Sequence, residues 1–185
     1  SSRYRFSQGS EGDAMDVKLL RIDSRLLHGQ VATDWAKNTA IERILVVCDQ
    51  AAGDNIRKTL LMQAAPPGIK VHVLTVSKML RLCRDERFEH YKVLVLVETP
   101  VDAMRLIAGG LNTTSVNLGS LSFDATRKMI TETIAVNEQD VLALAWIRRR
   151  GIELDYRKVS SDPKRDLWKL LCDKGLVKDK LDHDQ

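Results

Sequence analysis

The chain has 185 residues, of which 44% are apolar, 29% charged and 5% aromatic. At the usual ~100–200 residues per domain this is one domain with a little over, and the apolar share excludes disorder throughout. No apolar run approaches the ~18–20 residues that span a bilayer, and no basic stretch leads into an apolar one as in a secretory signal. A soluble protein is expected. Lys and Arg number 29 against 25 Asp and Glu, giving a net charge of +4. Much of the excess sits in Arg148, Arg149, Arg150, Arg157 and Lys158, interleaved with Glu153 and Asp155. A solvated helix end, where cations suit the C-terminal dipole, accounts for such a cluster. Docking on an acidic partner or an anionic membrane surface is the other reading. Nucleic acid is disfavoured, because no basic stripe with interleaved aromatics is present. Cys48, Cys83 and Cys172 are odd in number, with no C-x-x-C spacing. They fit a reducing cytoplasm and neither a disulfide framework nor a zinc site.

Residues 1–14 are polar and aperiodic ahead of Met15 and are expected to be a disordered leader. Residues 15–178 then form the domain, and 179–185 a frayed tail. Strands are predicted at 17–22, 44–47, 70–74, 92–97, 115–118 and 153–159. Runs such as ILVV and VLVLV are the mark of parallel strands buried on both faces. Helices are predicted between them. The first, 29–38, follows the first strand and its loop. The next, 54–65, opens on the capping Asp54 and stops at Pro66 and Pro67. Residues 77–83 begin on a capping Ser77, and 100–108 have Pro100 in the first turn and glycines at the end. Residues 137–150 run from Asn137 to Gly151, acids first and arginines last. A last helix at 164–171 follows Pro163. Strand–helix alternation of this kind defines a single three-layer α/β/α domain: an open, mainly parallel sheet with helices on both faces.

Ligands in such sheets bind beyond the carboxyl ends of the strands, where strand order reverses. The loop after the first strand is the most loaded of these: Arg21, Asp23, Arg25, His28, Gly29 and Gln30 lie within ten residues, just before a helix. Free N–H groups at a helix start, with a glycine that admits close approach, make an anion site. Arg25 adds a forked phosphate contact. A neutral imidazole at His28, its pKa lowered by a nearby arginine, is a nucleophile suited to phosphoryl transfer. Asp23 orients either Arg25 or the imidazole. The alternative is a surface histidine among ordinary salt-bridged arginines. Asp49 follows the second strand as an acid able to position an arginine or amide, or simply closes a turn. Gly119, Ser120 and Ser122 offer small polar groups to the same pocket, or plain turn chemistry. Cys48 reads as a buried inert thiol, His72 and His90 as structural, and His183 as part of the tail. G-x-G-x-x-G, the P-loop and the G-x-S-x-G elbow are absent.

The run RIDSRLLHGQV at positions 21–31 resembles the active-site loop of IIB components of the bacterial sugar phosphotransferase system, in the mannose/fructose/sorbose family. IRKTLLMQAAPPGIKV at 56–71, VNLG at 116–119 and the stretch around 136–140 extend the resemblance from Met15 to about Leu176. It implies a cytoplasmic phosphocarrier, associated peripherally with the inner membrane, that acts as a phosphohistidine–sugar phosphotransferase. His28 would accept a phosphoryl group at its δ nitrogen from the phosphohistidine of a IIA domain. It would pass the group to a sugar delivered by membrane IIC and IID subunits, with no metal or organic cofactor. Arg25, Arg21 and Asp23 match the charged positions of the loop and Gln30 its polar one. Gly29, Gln30, Asp49, Gly119 and Ser120 are the expected phosphate- and substrate-binding positions. Cys48 and Ser120 depart from the family, which commonly has Asn and Gly there. The resemblance also gives Arg148, Arg149 and Arg150 interest as a docking surface. The sugar and the oligomeric state, a homo-oligomer included, stay open. A non-catalytic sensor or regulatory domain that binds a phosphorylated metabolite at the same loop is the rival reading.

Overall fold

The computed structural model describes residues 15–178, so the expectations for 1–14, 179–185 and His183 lie outside the described residues. Six parallel strands make the sheet: β1 (Asp16–Asp23), β2 (Arg43–Val47), β3 (Lys70–Leu74), β4 (Lys92–Val97), β5 (Ser115–Ser120) and, after the two short strands given below, β8 (Glu153–Tyr156). Their spatial order is β3-β2-β4-β1-β5-β8. The chain leaves β1 toward β2 on one side, whereas it leaves β5 toward β8 on the other. The crevice between the carboxyl ends of β1 and β5 is therefore the point of reversal that open α/β sheets use for ligands.

Right-handed crossovers send leftward and rightward connections to opposite faces, and the packing follows. Helices α1 (Gly29–Thr39), α2 (Asp49–Ala52) and α3 (Asn55–Gln63) bury Ala32, Trp35, Ala36, Ala51 and Leu61 against Ile44, Val46, Val71, Val73, Leu94 and Leu96. On the other face lie α4 (Val76–Cys83), α5 (Pro100–Ala108), α6 (Glu138–Arg149) and α7 (Leu167–Asp173). They cover Leu20, Ile22, Leu45, Val47, Val93, Val95, Val97, Val116 and Leu118. Alternate residues of one strand thus enter separate cores, which is why these strands read as unbroken apolar runs. Leu20 and Ile22 are fully buried, worth about 1.5–3 kcal/mol each by area.

Start and stop chemistry decides most element ends. Asp54, Thr99, Asn137 and Asp166 accept amide hydrogens at the starts of α3, α5, α6 and α7. At Asn137 a full capping box forms with Asp140. The cap of α4 is Thr75, not Ser77, because its hydroxyl reaches the Lys78 amide. The last predicted strand ends at Tyr156 instead of 159, since the chain turns there to aim the carbonyls of Arg157 and Lys158 at Arg21. The last helix starts at Leu167, beyond the predicted 164, where Asp166 caps it. Three pieces have no counterpart in the sequence reading: α2, a 3-10 turn at Glu86–Phe88, and a hairpin of β6 (Lys128–Met129) with β7 (Ala135–Val136). Arg127 ties that hairpin to α6 by pairing with the buried Asp140 at 2.9 Å. Among the described residues no helix is long and apolar enough to cross a membrane.

Candidate active site

His28 sits at the N-cap of α1 with extended backbone, and its side chain caps nothing. The loop that delivers it is anchored from below. Leu26 and Leu27 are buried in the core under α1, and Leu26 adopts φ 59 to get there. A buried non-glycine residue in that region is under backbone strain. Its effect is to fold the chain back so that His28 returns over Asp23, five residues earlier. His28 Nε2 lies 3.1 Å from Asp23 Oδ2, and the ring keeps a quarter of its surface open. Gly29 follows at φ 42 with empty space where a Cβ would stand, a conformation glycine adopts without cost. The first turn of α1 carries no acidic side chain, so its amide groups and the positive end of the dipole face outward next to the imidazole.

Asp23 is fully buried at the end of β1. Its Oδ1 accepts from the Arg25 amide at 2.9 Å and from Ser120 Oγ at 2.8 Å; its Oδ2 takes His28 and, at 3.3 Å, Arg21 Nη2. Burial alone would raise the carboxyl pKa. The Arg25 amide, His28, Ser120 and Arg21 together outweigh it and hold Asp23 below its ordinary value, ionised. A carboxylate on Nε2 makes that nitrogen the protonated one in the neutral ring and leaves the lone pair on Nδ1. A Ser24–Ser122 contact at 2.8 Å and a Ser24 amide to Ser120 carbonyl bond at 3.1 Å staple this loop to the one after β5.

Beneath Asp23, Arg21 is buried to 2% exposure. Its Nη1 donates to Asn117 Oδ1 and, at 2.9 Å, to the Arg157 carbonyl; its Nη2 donates to the Lys158 carbonyl at 3.0 Å. Burial lowers the Arg21 pKa and Asp23 pulls it back up. The Trp35 ring lies 5.3 Å from this guanidinium and 5.1 Å from that of Arg157, within cation–π range. The register between β1 and β5 slips after Ile22, so that Asp23 stands opposite Ser120 and Gly119 is passed over. That glycine is required: a Cβ there would come within 2.1 Å of Arg21 Nη2.

The residues singled out from sequence do not all converge. Arg21, Asp23, His28, Gly119 and Ser120 form one cluster. Arg25 lies at its rim, with a side chain more than half exposed and Nε 3.9 Å from Asp23, and Gln30 is exposed in the first turn of α1. Asp49 does position an amide and an arginine, but those of Val76 and Arg105, at 2.9 and 3.3 Å, at the β2 end of the sheet. Cys48 is buried and caps α2 through its sulfur, and burial pushes its thiol pKa up. His72 pairs with Arg43. The basic residues at the end of α6 stack on their own neighbours, Arg148 near Trp168 and Arg150 near Trp146. Sequence reasoning missed Asn117, Asp155, Arg157 and Trp35 as parts of the site. A polar residue at an inward position of an otherwise apolar strand, as in VNLG and ELDY, was the available signal.

Fold and site together define an open α/β domain that presents, at its switch point, a histidine braced by a buried carboxylate. Residues 17–182 match the family of PTS system sorbose subfamily IIB components, and this chain belongs to that family. It is 45% identical to the PTS system mannose-specific EIIAB component of Escherichia coli strain K12 over 159 residues, 86% of this chain and 49% of that one. The chain thus spans about half the length of that relative. Identity to the PTS system fructose-specific EIIB component of Bacillus subtilis strain 168 is 38% over 157 residues, 85% of this chain and 96% of the other. Among solved structures, the IIBSor domain of the sorbose permease from Klebsiella pneumoniae superimposes with a TM-score of 0.86 at 32% identity, covering 88% of this chain and all of that domain.

Proposed function

We propose that the domain is a phosphocarrier in which His28 Nδ1 takes a phosphoryl group from a phosphohistidine on a IIA domain and hands it to a sugar hydroxyl. The observation that carries this is the 3.1 Å contact of His28 Nε2 with the buried Asp23, since it turns the other nitrogen outward with its lone pair. In the first transfer the donor's N–P bond breaks as the Nδ1–P bond forms. The Nε2 proton stays in place, so the ring gains positive charge, and Asp23 lies beneath to offset it. In the second transfer the hydroxyl oxygen attacks phosphorus and the Nδ1–P bond breaks. The ring leaves as neutral imidazole, and the hydroxyl proton goes to solvent.

Arg25, exposed at the rim, is the residue to neutralise the equatorial phosphoryl oxygens. Arg21 is sealed under Asp23 and acts through it. The amides that begin at Gly29 and Gln30 add donors at the anion, whereas Asp49 supports the neighbouring α4 and α5. The name EIIAB of one relative supports a IIA donor; membrane IIC and IID partners and a peripheral place at the cytoplasmic side of the membrane are part of the same proposal. The rival reading, a phosphate sensor without transfer, gains no observation of its own.

Intact-protein mass after incubation with phosphoenolpyruvate, the general phosphotransferase proteins and a IIA domain tests the proposal. One acid-labile phosphoryl group is expected on the wild type and none on His28→Ala. Failure to label in the presence of a phosphorylated IIA domain from a close relative would overturn it.

A further inference from the structure

Arg21, Asn117 and Asp155 are register partners on three adjacent strands, Arg21 opposite Asn117 and Asn117 opposite Asp155. All three are buried. Their side chains bond along the row as well as standing in it. Asn117 Nδ2 donates to both oxygens of Asp155 at 3.3 Å, which turns its Oδ1 the other way, onto Arg21 Nη1. An amide has one donor end and one acceptor end, so the Asp155 carboxylate decides which end Arg21 meets. Arg21 Nη2 then meets Asp23 Oδ2, the same atom that holds His28 Nε2.

We propose that Asp155, on the far edge strand, is a positioning residue for His28, acting through Asn117, Arg21 and Asp23 to hold the imidazole with its proton on Nε2. The proposal deepens the phosphocarrier reading and rests on it for its effect on transfer. The side-chain bonds of Asp155 go to Asn117 and Arg157, and none goes to the imidazole or to Arg25. Its other partner is Arg157, whose Nε lies 2.8 Å away, and Arg157 and Lys158 also offer carbonyls to Arg21. Two routes therefore lead from β8 to Arg21: one through the Asn117 amide, one through the loop after Tyr156. Asp155→Asn keeps the shape and removes the polarity, since a second amide no longer dictates the orientation of the first.

The test compares Asp155→Asn, Asn117→Ser and Glu153→Gln with wild type in the intact chain. Nitrogen NMR of the His28 ring reports the tautomer, and labelling by a phosphorylated IIA domain reports the rate. Expected for Asp155→Asn and Asn117→Ser are ring nitrogens shifted toward a tautomer mixture and labelling slowed about tenfold. Glu153→Gln, on the same strand but outside the row and paired with Lys164, should keep wild-type ring nitrogens. A folded Asp155→Asn or Asn117→Ser protein with unchanged ring nitrogens would overturn the proposal. Equal shifts in Glu153→Gln would overturn it too, by assigning the effect to any loss of charge on the edge strand. The ring measurement needs no phosphoryl donor, so a wild type that never labels would end the carrier reading while leaving the relay decided on its own terms.

Discussion

One register row crosses all six strands on the face under α1: Val73, Val46, Leu96, Arg21, Asn117, Asp155. Every member is buried. The first three lie under α1 and α3 and are apolar; the last three lie on the side of the switch point and are charged or amide-bearing. Backbone geometry is the same in both halves, so the difference is in what each half must do. The apolar half gains stability by removing surface from water. The polar half gains little net stability from its ion pairs, because desolvation offsets the attraction. What it provides is direction: each donor and acceptor has one partner geometry, and the sum points Asp23 at His28.

Breaking the two halves at adjacent positions separates these roles. Arg21→Met leaves Asp23, Asn117 and two carbonyls without their cation and should cost about 3–5 kcal/mol, read by denaturant unfolding. Leu96→Ala, its neighbour in the row, should cost about 2–5 kcal/mol through the cavity it leaves. The losses overlap, but phosphoryl labelling per folded molecule should collapse only in Arg21→Met. Equal labelling in both variants would erase the distinction between the halves.

A smaller loss is expected from Gly119→Ala. Its Cβ would meet Arg21 Cζ at 2.3 Å, so the guanidinium must leave its bonds to Asn117 or the loop carbonyls. Losing one or two such bonds costs about 1–3 kcal/mol, and the Trp35 fluorescence should change as the cation withdraws. A Gly119→Ala protein as stable as wild type would mean that the polar row tolerates displacement as readily as a surface pair.

The subtlest effect is in acid. Burial opposes ionisation of Asp23, yet the Arg25 amide, His28, Ser120 and Arg21 hold its pKa below the ordinary carboxylate value. The unfolded chain then takes up the proton first. The stabilisation is therefore fully present above the ordinary value of about 3.9 and lost as pH falls through the lower folded value. The stability difference between wild type and Asp23→Asn should stay flat near neutrality and shrink below about pH 4. A difference that is independent of pH down to the acid transition would show that the fold does not lower the Asp23 pKa.

Much of the fold was legible because its signals are local. The β3 and β4 limits coincide with the apolar runs at 70–74 and 92–97, and α5 lies between the capping Thr99 and its terminal glycine. The hairpin after β5 was not legible. Its strands are two residues long, and what holds it is remote: the Arg127–Asp140 pair and the bridge from Leu121 to Ile134. The same division runs through the site. His28, Gly29 and the two arginines stand in one loop, and their density before a helix was enough to single out the loop on which the proposal rests. Asn117 and Asp155 are 96 and 134 residues from Arg21 in the chain, since 117 − 21 = 96 and 155 − 21 = 134.

By itself the sequence determined the alternation of strands and helices, caps such as Asp54 and Asn137 and the loop proposed to be reactive, because periodicity and capping act over a few residues. Only the tertiary structure decided which strands became neighbours. With that order came the placement of Arg21 below Asp23 and Arg25 beside it, the reason Gly119 lacks a side chain, and the nitrogen of His28 that faces outward. Those outcomes depend on strand order and register, which bring a carboxylate from the edge of the sheet into line with a histidine near its centre.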